Sequence, residues 1–199
     1  METPVQTKSA VTVENIYRAK VRLKGVAQHT PLMKNYNLSD RYDCSVYLKR
    51  EDLQVVRSYK IRGAYNKMAS MPPEELENGI VCASAGNHAQ GVAFACLKLG
   101  VHGKIYMPSV TKQQKIKKVK LFGKNQVEVI LVGDTFDDAF AEATKDAEAN
   151  NKVFVPPFND ERIIEGQGTV GLEILEDLPE PADFLFAAIG GGGLISGVG

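Results

Sequence analysis

Short apolar runs alternate along this chain with segments whose apolar residues recur every three or four positions. Ile80-Val81-Cys82-Ala83 is a continuous apolar run and predicts a buried strand. From His88 to Leu99, the residues Val92, Ala93, Cys96 and Leu99 share one helical face, and Gly100 is placed to stop the helix. Lys104–Met107 predicts a second strand, ended by Pro108. Lys112–Phe122 predicts a helix with Ile116, Val119 and Phe122 on one side and Gly123 behind it. Val127–Val132 reads as a third strand. Asp137–Glu148 reads as a helix whose acidic start suits the helix dipole, and Val153-Phe154-Val155 as a fourth strand closed by Pro156-Pro157. Strand and helix alternating in this way predict a parallel sheet with helices on both faces.

The flanks carry a pattern of their own. Glu14–Gly25 is expected to be helical and Ser45–Lys49 a strand. Ser58–Met68 is expected to be a helix that buries Ile61, Ala64, Tyr65 and Met68. Thr169–Leu175 reads as a helix and Phe184–Ile189 as a buried strand. The fold class is therefore α/β in two parallel-sheet, three-layer units. Residues 1–76 and 157–199 would form the larger unit, and 77–156 the smaller one inserted into it. Four glycines, Gly190 to Gly193, follow the last strand and should open a helix at Leu194. The chain ends at Gly199, too soon for such a helix to stabilise itself, so an N-terminal fragment with an incomplete second unit is expected.

Composition narrows the class more than the activity. Of 199 residues, 44% are hydrophobic, enough for a packed core. Lys plus Arg equals Asp plus Glu at 24 each, which gives no reason to expect a nucleic-acid or membrane partner. The basic run Lys112 to Lys120 is the one local exception. Its ordinary reading is a solvated helix face, because an acidic stretch from Glu128 to Glu148 follows. Three widely spaced cysteines, Cys44, Cys82 and Cys96, are no disulfide framework and suit a reducing compartment. Neither they nor the histidines have metal-ligand spacing. The N-terminus has no apolar signal core, and no apolar stretch approaches the roughly 18 residues of a membrane span. A soluble cytoplasmic protein is expected.

Three segments carry chemistry. In Ser58-Tyr59-Lys60-Ile61-Arg62-Gly63-Ala64, Ser58 is expected to cap the helix and Lys60 to fall in its first turn. The positive helix end and burial both favour the free amine that Schiff-base chemistry needs, whereas most lysines are simply solvated. Ser84-Ala85-Gly86-Asn87-His88 joins a strand to a helix. Its small residues let backbone N–H groups approach a carboxylate or phosphate, against the plain reading of a turn capped by Ser84 or Asn87. A lone histidine such as His88 is more often structural than catalytic. Gly190 to Gly193 expose consecutive N–H groups after an apolar run, as a phosphate cradle does. They match neither the dinucleotide nor the Walker fingerprint, which counts against a nucleotide-binding module.

Together, S-Y-K-I-R-G-A, S-A-G-N-H-A-Q-G, G-Q-G-T at 166–169 and G-G-G-G-L resemble the fold-type-II pyridoxal-phosphate (PLP) enzymes, and within them the threonine dehydratases. The resemblance runs from about Val13 to Gly199. It implies PLP as cofactor, carried by Lys60, with Tyr59 beside it where the family usually has phenylalanine. It implies that Asn87 contacts the cofactor ring hydroxyl and that Ser84, Ala85, Gly86 and His88 line the substrate carboxylate pocket. Gly190, Gly191, Gly192, Gly193 and Leu194 would hold the phosphate. The implied reaction dehydrates and deaminates L-threonine to 2-oxobutanoate and ammonia, the first step towards isoleucine, with Lys60 as the base. Ala85 stands where related serine racemases have a second serine, which favours elimination over racemisation. Serine dehydratase, serine racemase and threonine synthase activities are the alternatives. The resemblance also implies an amino-acid substrate (threonine or serine), a homo-oligomeric full-length protein, and a pyridine-nitrogen contact beyond Gly199. The fragment by itself is therefore expected to be inactive.

Overall fold

The computed structural model describes residues 11–199. Residues 1–10, the start of the expected larger unit and the stretch read for a secretory signal, lie outside the described residues. In chain order the helices and strands are α1 (Val13–Arg22), β1 (Leu32–Lys34), α2 (Tyr36–Tyr42), β2 (Tyr47–Lys49), α3 (Lys60–Ala69), α4 (Pro73–Leu76), β3 (Ile80–Ala83) and α5 (Asn87–Leu99). Then come β4 (Gly103–Met107), α6 (Gln113–Gly123), β5 (Val127–Leu131), α7 (Phe136–Ala149), β6 (Val153–Phe154), α8 (Glu161–Asp177) and α9 (Gly193–Val198).

The central stretch folds as its periodicity predicts. β5, β4, β3 and β6 lie side by side in that order and pair in parallel. Alternation sorts the strand residues between two faces. Ile80, Cys82, Ile105 and Met107 point to one face, where they meet Val92, Ala93 and Cys96 of α5 and Ile116 and Val119 of α6. Val81, Ala83 and Tyr106 point to the other, against Ala139, Ala143 and Ala147 of α7. Alanine at i, i+4 and i+8 lets α7 lie close on the sheet. Each fully buried isoleucine here stabilises by roughly 1.5–3 kcal/mol. Gly100 ends α5 in the left-handed region (φ 69°), and Thr135 with Asp138 closes a capping box on α7. The lysines of α6 are exposed while Ile116 and Val119 are buried, so the basic run forms the outer face of an amphipathic helix.

The flanks depart from expectation in four places. α1 ends at Arg22 rather than Gly25, because the chain turns through Gly25 at φ 77°. The strand at Ser45–Lys49 shortens to Tyr47–Lys49 and pairs antiparallel with Leu32–Lys34, a strand not anticipated. α8 is far longer than Thr169–Leu175, since Asp160 caps it by accepting from Ile163 N. Residues 184–189 form no strand. Phe184 and Phe186 are 81% and 92% exposed. Extended apolar chain becomes a strand only when neighbours supply ladder hydrogen bonds, and no described strand lies alongside it. Among the described residues the flanks therefore contribute helices and one two-stranded ribbon.

The flanking helices pack through the G-Q-G-T segment of α8. A Cβ on Gly166 would lie 2.6 Å from the Arg62 carbonyl oxygen, and one on Gly168 2.6 Å from that of Gly197. Gln167 Oε1 accepts from Gly63 N (3.2 Å). This motif is thus the seat on which α3 and α9 dock.

Candidate active site

Lys60 opens α3, as expected, but Ser58 does not cap it. The cap position falls on Tyr59, which has helical angles (φ −64°, ψ −13°) and makes no side-chain cap bond. Ser58 lies one residue too early to reach the free N–H groups, and its buried hydroxyl has no hydrogen-bond partner among the described residues. Lys60 Nζ donates to the Pro157 carbonyl oxygen (2.6 Å) and lies 5.5 Å from the centre of the Tyr59 ring. Burial lowers its pKa from the ordinary lysine value, which favours the free amine.

The Ser84–His88 turn sits at the C-terminal end of β3, where ligands of open α/β sheets bind. Ser84 Oγ accepts from Gly86 N (3.2 Å). Gly86 is the cap residue of α5 and supplies no side-chain acceptor, so neither Ser84 nor Asn87 caps the helix. Ala85 and Gly86 are half-buried and Asn87 is exposed. His88 is 4% exposed, and its Nε2 donates to the Val155 carbonyl oxygen (3.0 Å). Burial pushes its pKa down to about 4 against the opposing pull of that bond, and the Lys60 charge adds to the fall. The imidazole is therefore neutral at physiological pH. The last glycine of the motif, Gly91, has a spatial role: a Cβ there would lie 2.9 Å from the Lys60 carbonyl oxygen. The two motifs meet backbone to backbone.

His88 has a testable consequence for stability. Its folded pKa lies below its unfolded value near 6.5, so the unfolded chain binds the proton first as pH falls. Stability should drop between about pH 6.5 and pH 4 by up to about 1.4 kcal/mol per pH unit from this group. Urea unfolding of the wild type and of His88→Gln at pH 7, 6 and 5 checks this. An identical slope in both would refute it.

The glycine loop follows the exposed 184–189 segment. Gly192 caps α9 in the left-handed region (φ 84°), which a side chain would strain. Leu194 is half-buried in the first turn of α9. Phe158 packs against the loop: a Cβ on Gly191 would lie 2.2 Å from its ring, and one on Gly193 3.0 Å from its carbonyl oxygen.

One stretch of chain therefore joins the three predicted segments. Val155 accepts from His88, Pro157 accepts from Lys60, and Phe158 packs under Gly191 and Gly193. Pattern reading missed it. The only sequence signal was the Pro-Pro-Phe run directly after a strand.

A buried ion network behind Lys60 was also missed. Arg62, 1% exposed, donates to Glu51 (2.7 and 2.8 Å), to Glu173 (2.6 and 2.8 Å) and to Thr169 Oγ1 (3.1 Å). Lys49 pairs with Glu173 at 2.8 Å. A cleft of about 760 Å³ beside α1 is lined by Tyr17, Val21 and His29 and reaches Arg62 and Glu173, but neither Lys60 nor the glycine loop lines it. Among the described residues, no helix is long and apolar enough to cross a membrane, and no group of three or more His, Cys, Asp or Glu could hold a metal ion.

A desolvated lysine joined through one strap to a strand-end turn and a glycine loop defines a class. The chain belongs to the pyridoxal-phosphate dependent enzyme family, whose sequence model matches residues 23–199. Its relatives are more particular. The biosynthetic L-threonine dehydratase of Bacillus subtilis (strain 168) is 54% identical over 199 residues, which is 100% of this chain and 47% of that protein. The processed form of threonine deaminase isoform 2 from Solanum lycopersicum superposes with a TM-score of 0.82 at 41% identity, over 94% of this chain and 52% of that one. Maize serine racemase superposes with a TM-score of 0.86 at 31% identity, over 95% of this chain and 56% of that one. The chain thus spans about half the length of these relatives.

The residues fit the family's cofactor. The amine is half-buried and its pKa is lowered, as covalent attachment to an aldehyde requires. Beside it, Ser58 holds a buried hydroxyl that has no partner among the described residues. A Cβ on Gly190 would meet nothing within 4 Å among the described residues, so they leave room at the loop's first position.

Proposed function

We propose that this chain is the lysine-bearing part of an enzyme that dehydrates and deaminates L-threonine, giving 2-oxobutanoate and ammonia on the way to isoleucine. The observation that carries the reading is Lys60 Nζ, desolvated, bonded to Pro157 and joined through it to the glycine loop. The names of the relatives support threonine as substrate. Bound PLP would supply an aldehyde for amines and a ring that draws electrons from the substrate Cα.

In this reading Lys60 holds the cofactor and its Nζ accepts the Cα proton. Tyr59 packs beside it, and Asn87 binds the ring hydroxyl. The N–H groups of Gly190 to Leu194 bind the phosphate. The turn Ser84, Ala85, Gly86 and His88 binds the substrate carboxylate at the start of α5. Because the His88 ring is buried and committed to Val155, its share in that binding falls to its backbone. Residues 77–156 act as the smaller domain and 1–76 with 157–199 as part of the larger one, so the site lies at their junction. The intact protein is read as a cytoplasmic homo-oligomer.

Ala85, in place of the second serine of racemases, favours elimination, while the likeness to maize serine racemase keeps serine as the rival substrate. Keto acid released from threonine and from serine by the intact protein, with racemisation followed in parallel, decides between them. A higher kcat/KM for threonine with no D-amino acid formed is expected. Turnover of serine alone, or racemisation, would overturn the reading.

A further inference from the structure

The four glycines of the loop do not share one reason for being glycine. Only Gly192 has a positive φ. Among the described residues, a Cβ on Gly190 would meet nothing within 4 Å. A Cβ on Gly191 would lie 2.2 Å from two ring carbons of Phe158 and 2.6 Å from a third. One of the nearer pair is Cγ, the root of the ring, so relieving the clash means turning the whole side chain of Phe158, which is 39% exposed, and not only its tip. A Cβ on Gly193 would meet the backbone of Phe158, 3.0 Å from its oxygen and 3.1 Å from its Cα. The next residue back, Pro157, supplies the carbonyl that accepts from Lys60.

We infer that Phe158 is a positioning residue. Its ring wedges under Gly191, sets the path of the glycine loop, and ties that path to the strap that receives the Lys60 amine. The absence of a side chain at Gly191 serves this wedge, whereas at Gly190 it serves the ligand. The step from loop path to PLP phosphate rests on the proposed function; the wedge itself does not.

The test is a set of mutant cycles in the intact protein, read in two ways: the melting temperature of the PLP-free protein, and the PLP dissociation constant from a titration. Gly191→Ala should lower the PLP-free melting temperature by about a few degrees and weaken PLP binding by about tenfold or more, as overpacking does. In a Phe158→Ala background the same change should cost little on both readouts, because the ring it would strike is gone. Phe158→Ala should give no such relief to Gly193→Ala, which strikes backbone. Gly190→Ala should leave the PLP-free melting temperature unchanged and weaken only PLP binding. Phe158→Leu, which keeps bulk at the wedge, should hold PLP better than Phe158→Ala.

An equal penalty for Gly191→Ala in both backgrounds would overturn the inference. If Gly191→Ala does not fold, recovery of folded protein in the double variant supports the wedge, and no recovery refutes it. Failure of the wild type to bind PLP would refute the proposed function alone, since the melting-temperature cycle reads the wedge without cofactor.

Discussion

Replacing Lys60 by alanine in the intact protein should lower threonine turnover by roughly 10²–10⁴-fold or more, the range for losing a positioned acid–base group. The loss has two parts. Lys60 Nζ is a half-buried amine whose pKa burial lowers, so it can act both as a nucleophile toward an aldehyde and as a base. Arginine at the same place keeps the charge and cannot do either. Lys60→Arg should therefore be as inactive as Lys60→Ala while preserving a donor to the Pro157 carbonyl. Borohydride treatment followed by peptide mass analysis separates the parts: the wild type should carry the reduced cofactor on the Lys60 peptide and neither variant should. Turnover retained in Lys60→Ala, or cofactor recovered on another lysine, would remove this residue from the role proposed.

The largest stability effect is expected at Arg62. Its guanidinium is buried among Glu51, Glu173, Thr169 Oγ1 and the Gln28 carbonyl oxygen. Arg62→Ala would leave two carboxylates at a buried site with Lys49 as the remaining cation in reach of Glu173. Breaking a buried pair by removing one partner costs about 3–5 kcal/mol, chiefly because the other charge is left unpaired. Arg62→Lys keeps the charge but loses the fork that serves two carboxylates at once, and should fall in between.

The pH dependence carries a sign that identifies the cause. Burial works against the charge on Glu173, but the bonds from Arg62 and Lys49 outweigh it and hold the carboxyl below its usual range. A depressed carboxylate pKa contributes stability that is present above the unfolded value, about 4.3, and lost as pH falls through the folded one. In Arg62→Ala most of that contribution is missing, so the loss of stability below about pH 4 should be shallower than in the wild type. Denaturant midpoints from pH 7 to pH 3 measure both effects. A penalty under about 1 kcal/mol, the scale of an exposed pair, would show that the network is not the lock described.

Arg62 also shows where pattern reading stops. It lies two residues after Lys60 in the motif, yet nothing in the motif names its partners. Glu51 lies before α3, and Glu173 lies on α8, more than 100 residues further along. Ser58 teaches the converse. Its type suits a helix cap, but the helix begins one residue too late for it, and that single step leaves the hydroxyl buried without a partner among the described residues.

What the sequence by itself determined is the local part of the molecule. The strands β3 to β5 and the helices between them were legible because alternation, helical spacing and stops such as Gly100 and Pro108 act over a few residues. Lys60, the Ser84–His88 turn and the glycine loop were legible for the same reason, each being a short run of residues with its own chemistry. Only the tertiary structure decided how they meet. It turned the His88 ring away onto Val155, brought Pro157 under the lysine amine, pressed Gly91 against the Lys60 backbone, and set Phe158 beneath Gly191. Among the described residues, it also set no strand beside residues 184–189. The physical reason is common to all of these. Periodicity reports which face of an element is buried, whereas the partner on that face is chosen by packing between residues far apart in the chain.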